Sequence, residues 1–155
     1  ANAQSGAQRE QFWRLRETIP EAQSRLGPSL KHDISVTTSQ LPSFIREGTQ
    51  LMHEIIPNVR PVTYGHLGDG NLHFNASIPE HGDAAEFARQ GSELERAIHD
   101  LVASYGGSFS AEHGIGQLKR GELERYKSPV AVDLMRAVKH ALDPKGIMNP
   151  GKVVS

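Results

Sequence analysis

The run Gly65-His66-Leu67-Gly68-Asp69-Gly70-Asn71-Leu72-His73-Phe74-Asn75 leaves the backbone few choices. Asp-Gly between alternating runs signals a two-residue hairpin turn, because such turns need positive φ and glycine supplies it without steric cost. A hairpin centred on Asp69-Gly70 sets Leu67 opposite Leu72 and His66 opposite His73. Alternation then sorts Leu67, Leu72, Phe74 and Ala76 to one face, and Tyr64, His66, His73, Asn75 and Ser77 to the other. The first set is a core face. The second carries two imidazoles side by side; directly opposed Cβ atoms lie about 4.5 to 5.5 Å apart, so both rings reach one divalent ion.

The hairpin sits in a regular succession of elements. Phe12, Leu15 and Ile19 recur at helical spacing from about Gln8 to Thr18, and Ile19-Pro20 is a stop signal. His32 to Thr37 alternates as a short strand, and Pro42 opens a helix with Phe44, Ile45, Leu51, Met52 and Ile55 on one face. After the Val59–Ser77 hairpin, a helix spans about Ala84 to Tyr105, stopped by Gly106-Gly107, and a strand covers Ser108 to Ala111. Strand, helix, strand, strand, helix, strand is the ferredoxin-like βαββαβ unit, an α+β fold with an antiparallel sheet, helices on one face and the other face free for a site. A C-terminal helical extension follows. Its Ser128-Pro129 start, its face of Val130, Leu134, Val138 and Leu142, and its Asp143-Pro144 end are all explicit.

The 155 residues suit one domain, read as residues 8–155, with small, polar residues 1–7 expected to be a disordered lead or a junction in a longer protein. Lys+Arg 17 against Asp+Glu 18, with no basic stripe, argues against nucleic acid as a partner. Cysteine is absent, which excludes disulfides and thiolate ligands and leaves His, Asp and Glu to hold any metal. No apolar stretch approaches the roughly 20 residues of a membrane span. The expected setting is soluble and cytoplasmic.

On the last strand Ser108, Ser110 and Glu112 share a face, so Glu112 joins His66 and His73 as a third ligand if that face is theirs. His113 points the other way and suits a general base, since an imidazole with a pKa of roughly 6.5 accepts a proton at neutral pH. Arg16 and Lys31 are by default surface cations. These residues alone argue for a metal-assisted active site, and leave open a metal-dependent hydrolase using the same His-His-Glu set and a stand-alone metal-binding or small-anion-binding module.

Several separated segments, Trp13-Arg14-Leu15-Arg16-Glu17, Lys31-His32-Asp33-Ile34-Ser35-Val36, the Gly65–Asn75 hairpin, Gly107–Gly116 and Leu142-Asp143-Pro144-Lys145-Gly146-Ile147-Met148-Asn149-Pro150-Gly151-Lys152-Val153, resemble the C-terminal domain of FAD-linked oxidases of the vanillyl-alcohol-oxidase type. Within that group the chain is similar to the D-2-hydroxyglutarate dehydrogenase, D-lactate dehydrogenase and glycolate oxidase flavin-subunit families. The resemblance implies a substrate-domain fragment whose FAD-binding domain is not in this chain. It implies oxidation of a D-2-hydroxy acid to a 2-oxo acid, with a divalent metal, commonly zinc, on His66, His73 and Glu112. His113 would take the hydroxyl proton, Arg16 and Lys31 would bind carboxylates, Asn75 would contact substrate, and Asn149 would reach FAD. The partners implied are a small 2-hydroxy acid and the protein's own FAD-binding domain, with a homodimer compatible. Four residues after Arg16, Pro20 replaces the hydroxyl residue of dicarboxylate-oxidising relatives and cannot donate a hydrogen bond, which argues against 2-hydroxyglutarate itself.

Overall fold

The computed structural model describes residues 2–154 and divides into two compact units, residues 1–111 and 112–155. The first unit opens with two short helices, α1 (Gly6–Glu17) and α2 (Ile19–Ser24), followed by strands β1 (Ser29–Leu30) and β2 (Asp33–Ser35) and helix α3 (Leu41–Ile55). The hairpin β3 (Arg60–His66) and β4 (Asn71–Ser77) and the long helix α4 (Ala84–Ser104) complete it. β3 pairs with β4, β4 with both β1 and β2, and β2 bridges to Ser108, all antiparallel. Counting β1 and β2 as one interrupted strand, the order is last, first, third, second, which is the ferredoxin-like arrangement. The fold is the expected α+β one.

Packing explains the order. Ile34, Leu72, Phe74 and Ala76 cover one sheet face and are closed over by Phe44 and Met52 of α3 and by Leu94, Ile98 and Val102 of α4. Phe44 meets Phe74 edge-on at 5.2 Å and Tyr105 at 5.5 Å. A Cβ on Gly48 would stand 2.7 Å from the Phe74 ring, so α3 approaches the sheet as closely as a glycine permits. Caps fix the helix ends: the Asp83 carboxylate accepts from Glu86 N–H at 2.8 Å, and Gly106, at φ 67°, lets Gly107 N–H return to the Val102 carbonyl at 2.9 Å.

Several local expectations are corrected. The Asp69-Gly70 turn widens to a four-residue loop, Leu67 to Gly70, so Tyr64 pairs with His73 and His66 with Asn71. The Asp69 side chain causes this by accepting from Asn71 N–H at 3.0 Å, while Gly70 gives its carbonyl to Val36 N–H at 3.1 Å. Because the shift is two residues, the side chains still in the ladder keep their expected faces, whereas Leu67, expected in the core opposite Leu72, falls in the loop and is 76% exposed. The strand at His32–Thr37 is shortened and broken: His32 N–H turns aside to the Asn75 amide oxygen at 3.2 Å. The Ser108–Ala111 strand is reduced to one bridge, Ser35 to Ser108, with a further bond from Ala111 N–H to the Asp33 carbonyl at 3.1 Å.

The N-terminal segment also differs. Ser5 caps α1, so helix begins inside the segment expected to be irregular; Ala1 lies outside the described residues. Ile19-Pro20 starts α2 instead of only ending α1, since a proline in the first turn loses no helical hydrogen bond. α1 buries none of its residues, leaving Phe12, Trp13 and Leu15 exposed. Helices are not confined to one sheet face either: Gln23 of α2 bonds Asn75 at 2.9 Å and Ser77 at 3.4 Å on the opposite face.

The second unit holds α5 (Arg120–Tyr126) and α6 (Pro129–Leu142). Ser128 caps α6, with Pro129 as its first residue, as the sequence indicates. Val130, Leu134, Val138 and Leu142 do form a stripe, but it is exposed. No helix among the described residues is long and apolar enough to cross a membrane.

Candidate metal and substrate site

The polar face of the hairpin is closed at one end and open at the other. At the closed end Asn75 is 3% exposed, and its amide is spent on His32 N–H and the Gln23 side chain. This makes Asn75 a link between β4 and α2, using one of its two amide N–H groups and one oxygen lone pair. At the open end lie Tyr64, His66 and His73.

The His66 and His73 rings are 6.2 Å apart between centroids and nearly perpendicular, and a ring nitrogen of each lies within 4.8 Å of the other. Tyr64 lies against His73, with ring centroids 4.9 Å apart. The Arg16 guanidinium of α1 stands 5.0 Å from the Tyr64 ring centre. This cation–π contact brings a positive charge to the histidine pair. Arg16 thus lies beside an aromatic residue of the hairpin's polar face. His66 Nδ1 is 3.9 Å from the Asp69 carboxylate, with both side chains well exposed.

Beneath the histidines the site is buried. Asp33, 1% exposed, is the register partner of His73, and one of its carboxylate oxygens lies within 4.8 Å of a His73 ring nitrogen. Asn71 donates its amide N–H to Asp33 Oδ1 at 3.1 Å. Its own Oδ1 is buried and lacks a hydrogen-bond partner among the described residues. Reversing the amide would set two oxygens face to face, so the orphaned acceptor is held in place by Asp33. Sequence reasoning missed Asp33 and Asn71 as parts of the site. The signal was present: a carboxylate alternating with Ile34 in a short strand faces the polar side.

The paired imidazoles fit a divalent ion of the kind that takes nitrogen and oxygen ligands. Lys31 is exposed and lines a groove of about 260 Å³ with His32, Ser92 and Glu95; it makes no hydrogen bond or ion pair among the described residues. Glu112 and His113 open the second unit, directly after the Ala111 that is bonded to Asp33.

In the second unit Asn149, at φ 47°, lines a largely apolar groove with Leu134, Met135 and Val138. Its approach is shaped by Asp143, whose buried carboxylate accepts from Ile147 N–H at 3.0 Å, Met148 N–H at 2.9 Å and the Lys139 ammonium. The Lys139 bond, above all, and those two backbone donors hold the Asp143 carboxyl below its ordinary range, against the opposing effect of desolvation.

The family described as FAD linked oxidases, C-terminal domain, matches residues 1–153. The chain is 43% identical over 151 residues to a D-2-hydroxyglutarate dehydrogenase of Stutzerimonas stutzeri, covering 97% of this chain and 32% of that protein. It is 39% identical over 152 residues to the mitochondrial D-2-hydroxyglutarate dehydrogenase of Arabidopsis thaliana, covering 98% and 26%. With the mitochondrial enzyme of Rattus norvegicus the identity is 41% over 147 residues, covering 94% and 26%. The chain thus spans between a quarter and a third of the length of these relatives. The chain belongs to the FAD linked oxidases, as their C-terminal domain.

Proposed function

We propose that this chain is the substrate-binding part of a flavin-dependent dehydrogenase that oxidises a D-2-hydroxy acid to a 2-oxo acid. The observation that carries the reading is the convergence of His66, His73 and Arg16 on one open patch of the sheet, in a chain of this family. When bound, FAD supplies the acceptor for the two electrons and hydrogen leaving C2, and a divalent ion, zinc by preference, supplies positive charge toward the substrate's hydroxyl and carboxylate oxygens.

His66 and His73 would hold that ion, with Glu112 as the third ligand. The bond from Ala111 to Asp33 supports Glu112 in this role, because consecutive Cα atoms are about 3.8 Å apart and the chain is pinned to the strand beside His73 one residue earlier. His113 would accept the hydroxyl proton at a ring nitrogen as the C2 hydrogen departs. Arg16, already held over Tyr64, would pair with a substrate carboxylate, as would Lys31, whose ammonium is uncommitted. Asn149, presented by the Asp143 turn, would meet the flavin domain that a protein as long as its relatives carries.

Because these relatives are D-2-hydroxyglutarate dehydrogenases, 2-hydroxyglutarate is the first substrate to test. Pro20, in the first turn of α2, offers no side-chain donor, which favours a 2-hydroxy acid with a different distal group. Stopped-flow flavin reduction with a panel of D-2-hydroxy acids tests both points. His113→Ala is expected to slow reduction by at least about 100-fold while metal content stays unchanged. Reduction at the unaltered rate would remove His113 as the base.

A further inference from the structure

We propose that Asp33 is the positioning carboxylate of His73, itself locked by Asn71, so that one His73 ring nitrogen carries the proton toward Asp33 and the other is kept free for an ion. The proposal rests on the metal reading above and adds to it a residue outside the ligand set.

Four observations converge. Asp33 is 1% exposed in a strand of three residues, where an unpaired carboxylate would be costly to bury. It is the direct register partner of His73 in the β2–β4 ladder, and the two side chains bring a carboxylate oxygen and a ring nitrogen within 4.8 Å. Asn71 fixes the carboxylate by donating to Oδ1 at 3.1 Å. Finally, His73 is only partly buried and its ring lies against that of Tyr64, with centroids 4.9 Å apart.

A neutral imidazole has one N–H and one bare nitrogen, and an acceptor on one side decides which is which. Carboxylates behind ligating histidines do this widely, and their removal typically weakens metal binding about 10- to 100-fold. Asp33→Asn is the informative change because it keeps the shape. Oδ1 still accepts from Asn71, but an NH2 group now faces His73 where an acceptor stood. The ring must present its bare nitrogen to that NH2 group, and its N–H then takes the position meant for the ion.

The experiment uses the complete flavoprotein and Co(II) as the probe, read by its visible absorption and by equilibrium dialysis. Metal-free protein labelled with ¹⁵N-histidine reports the His73 tautomer independently of activity. Asp33→Asn is expected to lose Co(II) affinity by about 10- to 100-fold, to alter the absorption band, and to reverse or scramble the His73 tautomer, with melting behaviour close to wild type. Asp33→Ala should weaken binding as well. Asp33→Asn with wild-type affinity, spectrum and tautomer overturns the proposal and leaves the metal reading standing. A wild-type protein that binds no Co(II), or whose binding survives His66→Ala and His73→Ala, overturns both. Should Asp33→Ala fail to fold, the isosteric variant and the tautomer measurement still decide.

Discussion

The two units treat the same kind of sequence pattern differently. In the first, α4 steps through Phe87, Leu94, Ile98 and Val102, and all four are buried against the sheet and α3. In the second, α6 steps through Val130, Leu134, Val138 and Leu142 with equal regularity, yet these side chains are 59% to 73% exposed and only Val132 of the helix is buried. Periodicity states which residues share a side of a helix. Whether anything closes over that side depends on a further layer, which the sheet provides for α4 and which a pair of helices cannot provide for α6 within its own unit.

That contrast can be broken by making one substitution in both places. Leu94→Ala removes a fully buried side chain and should cost about 2–5 kcal/mol by chemical denaturation. Gly65→Ala comes next: its Cβ would stand 2.1 Å from the Asn71 carbonyl oxygen, a backbone atom that cannot step aside. Such crowding costs about 1–3 kcal/mol, and the variant should also shift the backbone amide resonances of Asn71 and Leu72.

Asp143 sharpens the comparison from the other side, because the second unit is organised there by polar capping. Its folded carboxyl titrates below the ordinary range, so its stabilisation is complete above that range and is lost as pH falls through the lowered folded value. Asp143→Asn should therefore lower Tm at neutral pH, and the gap to wild type should close in acid. A gap unchanged across a pH series of thermal melts would refute this. The smallest effect is expected for Leu134→Ala, within about 0.5 kcal/mol in this chain. A loss there equal to that of Leu94→Ala would abolish the distinction between the units.

Much of the site was legible because strand alternation needs only parity. Tyr64, His66, His73, Asn75 and Ser77 were assigned to one face from the sequence, and they occupy it, although the loop is longer than the Asp-Gly signal suggests and the pairs are different ones. Register was less legible because it turns on one side-chain bond, Asp69 to Asn71 N–H. The burial of Asn75 could not be read at all: it depends on Gln23, which arrives from a helix 52 positions earlier. α1 misled for the reason α6 did, its apolar residues being regular but uncovered.

The width of the Leu67–Gly70 loop has a consequence for how such a hairpin tolerates change. Sliding one arm past the other by a pair of residues merely swaps dance partners and leaves both imidazoles looking outward. A slide by one would turn them into the hydrophobic interior and bring Leu72 and Phe74 out to water. The chemistry on this surface is therefore protected against half of all possible slippages and destroyed by the other half, whatever the loop itself is made of.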